Sequence, residues 1–249
     1  MTTSILATVL VFIFTTVLTI AGVGSAFIVI PTFYWLGVPL TEAMAIGLLL
    51  NAISMIFASA NYIRYKLVLF RTAVPIIILA VIFSPLGAWT TQFFPKNSLI
   101  LLFVLFLVFA ASMMIFYKPK KKTGGQGGGG KQLRTGIGLG IGAGYLGGLL
   151  GVGGGNFIVP VLVWLGVDPK KASATTAFIV VFSSLSGFFG HAAIGRINLD
   201  LLAFAAVGSI AGALVGSWLM HKKLDAQQVK KVIGIVLYAI AIKMAWGLI

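Results

Sequence analysis

Apolar residues fill this chain in long blocks, and only short polar connections separate them. A block such as "LILLFVLFLVFAASMMIF", residues 99–116, has no polar alternation and no charge. About 20 apolar residues in a helix span a bilayer, and such blocks follow one another here with little between them. The pattern predicts transmembrane helices rather than β-barrel strands, which need short alternating segments. In the first half the blocks fall at about 4–20, 24–37, 41–63, 69–92 and 97–117. In the second they fall at about 134–150, 154–166, 170–192, 198–220 and 227–248. The first two blocks of each half are short and flank a glycine-rich break.

The two sets are copies. "GVGSAFIVIPTFYWLGV" from Gly22 and "GVGGGNFIVPVLVWLGV" from Gly151 align at a shift of 129 residues. The same register, without a gap, carries Ser54 onto Ser183, Gly87 onto Gly216 and Trp89 onto Trp218. The chain is therefore two homologous repeats, 1–117 and 134–249, joined by a Lys/Gly-rich linker, 118–133, that contains "KPKKKTGGQGGGGK".

Composition agrees with the blocks. Of 249 residues, 59% are hydrophobic and 9% charged, and the mean hydropathy is +1.10. A soluble protein keeps about a quarter of its residues charged. The net charge of +14 points to topology and anionic lipid rather than nucleic acid, because the bases sit in the connections. The N-terminal block lacks a basic n-region and is expected to be a retained helix rather than a signal peptide. With no cysteine, disulfides and thiolate chemistry are excluded. No cofactor or metal is expected.

Charge bias then orients the chain. A cytoplasmic linker puts the turn of Arg64, Lys66 and Arg71 inside, Lys170 and Lys171 inside, and "MHKKLDAQQVKK" inside. Pro39 falls outside, as do His191 and Arg196. These assignments agree only if each short pair returns the chain to the side it left. Three crossings then remain per half. The expected fold is an all-α integral membrane protein of two inverted-topology repeats, each a short re-entrant hairpin plus three transmembrane helices.

Broken backbone at membrane depth is tolerated only where protein buries it or a watery cavity lines it. A helix that begins just after the glycines turns unpaired N–H groups and the positive end of its dipole toward that place, which suits an anion. The candidate binding residues are Gly24, Ser25, Ala26 and Phe27 at one tip, and Gly153, Gly154, Gly155 and Asn156 at the other. Asn156 is the most telling, since an amide in an apolar segment needs a partner. A polar stripe in the following helix adds Asn51, Ser54, Ser183 and Ser184. Interhelical hydrogen bonding is its plainer reading, and a cavity wall the functional one. Arg64, Lys66 and Arg71 at the inner mouth, and His191 and Arg196 at the outer, could attract an anion. Topology alone also accounts for them. The four acids, Glu42, Asp168, Asp200 and Asp225, all lie near helix ends, which counts against a cation pump and against acid–base catalysis at depth.

The duplicated "GxGGGxxxxP" pattern, each copy followed by a helix leading to "RYKLVLFRTA" or "HAAIGRINLDLLAFAA", resembles the TauE/SafE sulfite exporter family. The first copy departs from it, with "GVGSA" in place of a fuller glycine run. The resemblance implies a bacterial inner-membrane permease that exports sulfite, sulfoacetate or a related sulfur-containing anion, and not an enzyme. A permease for another solute or a cation, and a non-transporting subunit of a larger complex, stay open from the residues alone, as does association with further copies of the chain.

Overall fold

The structure is a computed structural model, and it describes residues 2–26, 29, 30, 33, 39–93, 95–116, 129–192 and 199–246. Phe27, Arg196 and most of the linker lie outside these residues. The described residues form nine helices of 10 to 25 residues and one short 3-10 turn. They are α1 (Thr2–Ala21), α2 (Leu40–Arg64), α3 (Phe70–Thr90), α4 (Lys96–Phe116), α5 (Gly129–Leu149), α6 (Gly155–Trp164), α7 (Pro169–Ala192), α8 (Leu199–Lys222) and α9 (Ala226–Trp246).

Two boundaries differ from the sequence reading. The first arm of each hairpin is not short, since α1 has 20 residues and α5 has 21. At 1.5 Å per residue each reaches about 30 Å. α5 starts inside the expected linker, where Lys131, Gln132, Leu133 and Arg134 are good helix formers that apolar blocks do not register. The short arm is α6, with 10 residues, or about 15 Å.

The burial pattern is that of a protein dissolved in lipid. α3 turns Val74, Ile78, Ile82, Leu86 and Trp89 outward, each about half exposed. Its buried face carries Ala73, Ile76, Ala80, Ser84, Gly87 and Ala88. Large apolar side chains outside and small ones inside fit a hydrocarbon solvent, where helices associate by close approach. By length and apolarity, Glu42–Arg64, Phe70–Thr90 and Pro169–His191 can each cross a membrane.

Small residues decide who packs on whom. A Cβ on Gly140, Gly144 or Gly148 of α5 would strike Ile76, Ala80 or Ser84 of α3, so the two helices run parallel in tight contact. α1 and α8 do the same, with Gly208, Gly212 and Gly216 against Thr8, Phe12 and Thr16. Each first arm thus packs on a long helix of the other half. Single contacts recur at the 129-residue shift with the halves exchanged. Gly87 abuts the Tyr145 carbonyl as Gly216 abuts that of Thr16, and Gly22 lies on Ser173 as Gly151 lies on Met44. At the centre α2 and α7 cross antiparallel, with Asn51 on Ser184 and Leu48 beside Gly187. α4 and α9 flank the bundle, joined by a 2.6 Å hydrogen bond between the Ser112 and Tyr238 hydroxyls.

Candidate functional site

Both first arms end in the same way. Gly22 N–H donates to the Thr19 carbonyl and Val23 N–H to that of Leu18. The Gly151 and Val152 N–H groups repeat this on Gly148 and Gly147. This is the Schellman helix stop, which requires a left-handed residue. Gly22 and Gly151 supply it, with φ of 73° and 69°. The chain turns left-handed again at Gly24 (φ 84°) and Gly153 (φ 71°). There the copies part. Gly154 is left-handed (φ 78°) and caps α6, whereas its counterpart Ser25 is not left-handed.

The tips meet. A Cβ on Gly155 would come 3.1 Å from both the Gly22 carbonyl oxygen and the Val23 Cα. Asn51 is fully buried between them. Its Oδ1 lies against Gly24, and its Nδ2 would be 3.0 Å from a Cβ on Gly153. That Nδ2 donates to Ser184 Oγ at 2.9 Å, and Ser184 in turn abuts Gly153. Ser183 Oγ donates to the Gly153 carbonyl at 2.7 Å, pinning the second tip to α7. A side chain on Gly24 or Gly153 would displace this amide and hydroxyl.

Polar capacity is left over. The N–H groups of Gly154, Gly155 and Asn156 have no backbone acceptor among the described residues, as expected in the first turn of α6. Asn156 is fully buried, and neither its Oδ1 nor its Nδ2 has a hydrogen-bond partner among them. Asn51 Oδ1 is likewise without a donor. A buried polar group without a partner costs about 1–3 kcal/mol, so these three atoms, one on the amide between the tips and two on the first turn of α6, call for an explanation.

The other sequence candidates divide. Ser25 is buried and accepts from Ser209 Oγ at 3.3 Å. Ala26 is buried beside it, and Phe27 lies outside the described residues. Ser54 is buried but donates to the Asn51 carbonyl of its own helix, so its hydroxyl is occupied one turn from the tips. Farther along the same two helices packing prevails, with Asn61 of α2 on Ser217 and Gly190 of α7 on Ala88 and Pro85. Arg64, Lys66 and Arg71 are exposed at one end of the bundle. That end also gathers His221, whose ring stacks on Tyr65 at 3.7 Å, and Lys170, whose Nζ donates to the His221 carbonyl. His191 is corrected: it is 1% exposed, and its Nε2 donates to the Gly148 carbonyl at 3.1 Å rather than facing a mouth. The carbonyls at the end of α5 need donors, and the last turn of α7 supplies one. Arg196 lies outside the described residues.

Two contributors escaped the sequence reading. Ser84 of α3 donates to the Ser183 carbonyl, and Ser209 of α8 reaches both Ser25 and the Leu50 carbonyl. A lone serine in an apolar block is the signal for them, since its hydroxyl needs a partner in lipid.

Two glycine breaks that converge on a buried amide inside a lipid-facing helical bundle define a polytopic helical membrane protein, and similarity to known proteins makes it a membrane transporter. The chain belongs to the sulfite exporter TauE/SafE family, whose model matches residues 7–244. It is 27% identical to the probable membrane transporter protein YunE of Bacillus subtilis (strain 168), over 93% of each chain. It is 35% identical to sulfite exporter TauE/SafE family protein 1 of Arabidopsis thaliana, over 41% of this chain and 22% of that one. A probable membrane transporter of Methanocaldococcus jannaschii, MJ0441, is 33% identical over 43% of this chain and 42% of its own. No solved structure matches significantly.

Proposed function

We propose that this protein is a secondary transporter that exports a small sulfur-containing oxyanion, sulfite or an organosulfonate such as sulfoacetate, across a bacterial cytoplasmic membrane. The anion is held where the tips meet, by the backbone N–H groups of Gly154, Gly155 and Asn156 and by the tip at Gly24 to Ala26. Asn51, Ser54, Ser183 and Ser184 form the wall. The observation that carries this reading is Asn156, fully buried with both amide atoms unpartnered, in the first turn of a helix whose N-terminus touches the opposite tip. Helix N-termini bind anions without a cationic side chain. Family membership supports transport, and the relatives' names support sulfite.

The two halves act as inverted repeats, and alternating access follows from rocking one against the other. The exchanged contacts at the 129-residue shift and the basic cluster at one end support this arrangement. With the tips in contact, a ligand enters only as they part. Arg64, Lys66 and Arg71 then face the cytoplasm and raise the local anion concentration. An interior-negative potential favours anion exit by about 2.3 kcal/mol per charge per 100 mV, roughly a fiftyfold gradient, so no coupling ion is needed.

Proteoliposomes of the purified protein, loaded with sulfite and clamped at opposite potentials, test the reading. Protein-dependent efflux that rises when the interior is negative is expected. Flux indifferent to voltage would remove the uniport step, and no flux of any sulfur oxyanion would remove the function.

A further inference from the structure

The polar groups at the tips specify more than negative charge. Resting on the anion-transport reading above, we infer that the site takes its anion singly charged and carrying a proton of its own, hydrogen sulfite rather than sulfite.

Charge favours a monoanion. No cationic side chain reaches the tips among the described residues. Arg64 is 13 residues from Asn51 along α2, or about 20 Å. The favourable field comes from helix N-termini, each worth about half an elementary charge. Among the described residues α6 supplies the one such terminus at the tips. It offsets part of a single negative charge and a smaller share of two. The cost of taking an ion out of water rises with the square of its charge, so a dianion meets a fourfold cost with no added compensation.

Hydrogen-bond polarity favours a ligand with a donor of its own. Asn51 Oδ1 and Asn156 Oδ1 are buried acceptors that lack a donor. A sulfite dianion offers only acceptors and would leave both oxygens unmatched. Hydrogen sulfite brings one O–H, which one of these amide oxygens can accept, while its remaining oxygens take the N–H groups of α6 and the Asn156 amide. The register counterparts of these two asparagines are Val180 and Phe27. The acceptors therefore break the pseudo-symmetry, as suits a ligand with one protonated and several bare oxygens.

The titratable groups nearest the tips are few. α2 offers Glu42 and Tyr62, the latter donating to the Thr19 carbonyl. α5 offers Tyr145, which accepts from Thr90. α7 offers His191, two turns beyond Ser184. α1 and α6 offer none, α3 brings Arg71 at the basic end, and α8 brings His221 and Lys222 there and Asp200 at its opposite end.

Binding of labelled sulfite and of methanesulfonate to the purified full-length chain, at about pH 6 and about pH 8, tests the inference. Hydrogen sulfite loses its proton between these values, whereas methanesulfonate stays a monoanion. Sulfite affinity should fall about tenfold at the higher pH, in proportion to the competent fraction, with methanesulfonate unchanged. Sulfite affinity that holds or rises while methanesulfonate binds would overturn the inference and leave the transporter reading standing. A parallel fall of both ligands would assign the effect to a protein group, His191 first, and would also overturn it. Failure of both anions to bind at any pH would sink the anion site itself.

Discussion

The two glycine tips are alike in backbone and unlike in chemistry. Gly22 and Gly151 end their helices with the same pair of hydrogen bonds, and Gly24 and Gly153 repeat the same left-handed turn. Yet Asn51 stands where the second half has Val180, Asn156 where the first has Phe27, and Gly154 where the first has Ser25. Duplication kept the fold of each hairpin, because close helix approach leaves no room for a Cβ. It did not keep the polar groups, because one site between two tips needs one set of them. The amide that lies against both tips comes from the first half, and the unpartnered amide from the second.

The largest effect is expected where the tips are alike. Gly24→Ala and Gly153→Ala each force an L side chain into the left-handed region and push it into Asn51 or Ser184. Strain and overpacking together should cost about 2–4 kcal/mol and abolish transport in both. Thermal unfolding in detergent with a flux assay checks this. A tolerated Gly24→Ala beside a disruptive Gly153→Ala would break the equivalence of the tips.

Where the tips differ, stability and function should separate. Asn156→Leu replaces two unpartnered polar atoms by an apolar group of similar size, so stability should hold or rise by about 1 kcal/mol. Transport should fall at least tenfold. A fall in both would mean that Asn156 is structural. Asn51→Val copies the residue of the second half and removes the bond to Ser184. It should cost about 1–2 kcal/mol and weaken anion binding, with a smaller effect on transport than Asn156→Leu.

The smallest effect lies far from the tips. Lys66 ends α2 in the left-handed region, with φ of 56°, and its register counterpart is Gly195. Lys66→Gly should stabilise the protein by about 1 kcal/mol while removing one basic charge from that end. Unchanged flux at saturating anion is expected. A large loss would give Lys66 a role that topology does not.

Much of this was legible in the residues. The repeat, the glycine breaks and the isolated Asn156 follow from spacing and from the cost of polar groups in lipid. The convergence of Asn51 with both tips did not, since a stripe of small polar residues marks a buried face without naming its neighbour. The exchange of first arms between halves was hidden for the same reason. α5 came out longer than its apolar block because Lys131 to Arg134 extend a helix that hydropathy stops. The burial of His191 was missed because charge bias places a residue on a side of the membrane, not inside or outside the bundle.

The central claim is that the tips hold the transported anion. Voltage-clamped proteoliposomes carrying equal amounts of wild-type or Asn156→Leu protein, loaded with labelled sulfite, test it most directly. Wild-type efflux driven by interior-negative voltage is expected, with at least a tenfold loss in a variant that unfolds no earlier. Equal efflux from the two proteins would contradict it.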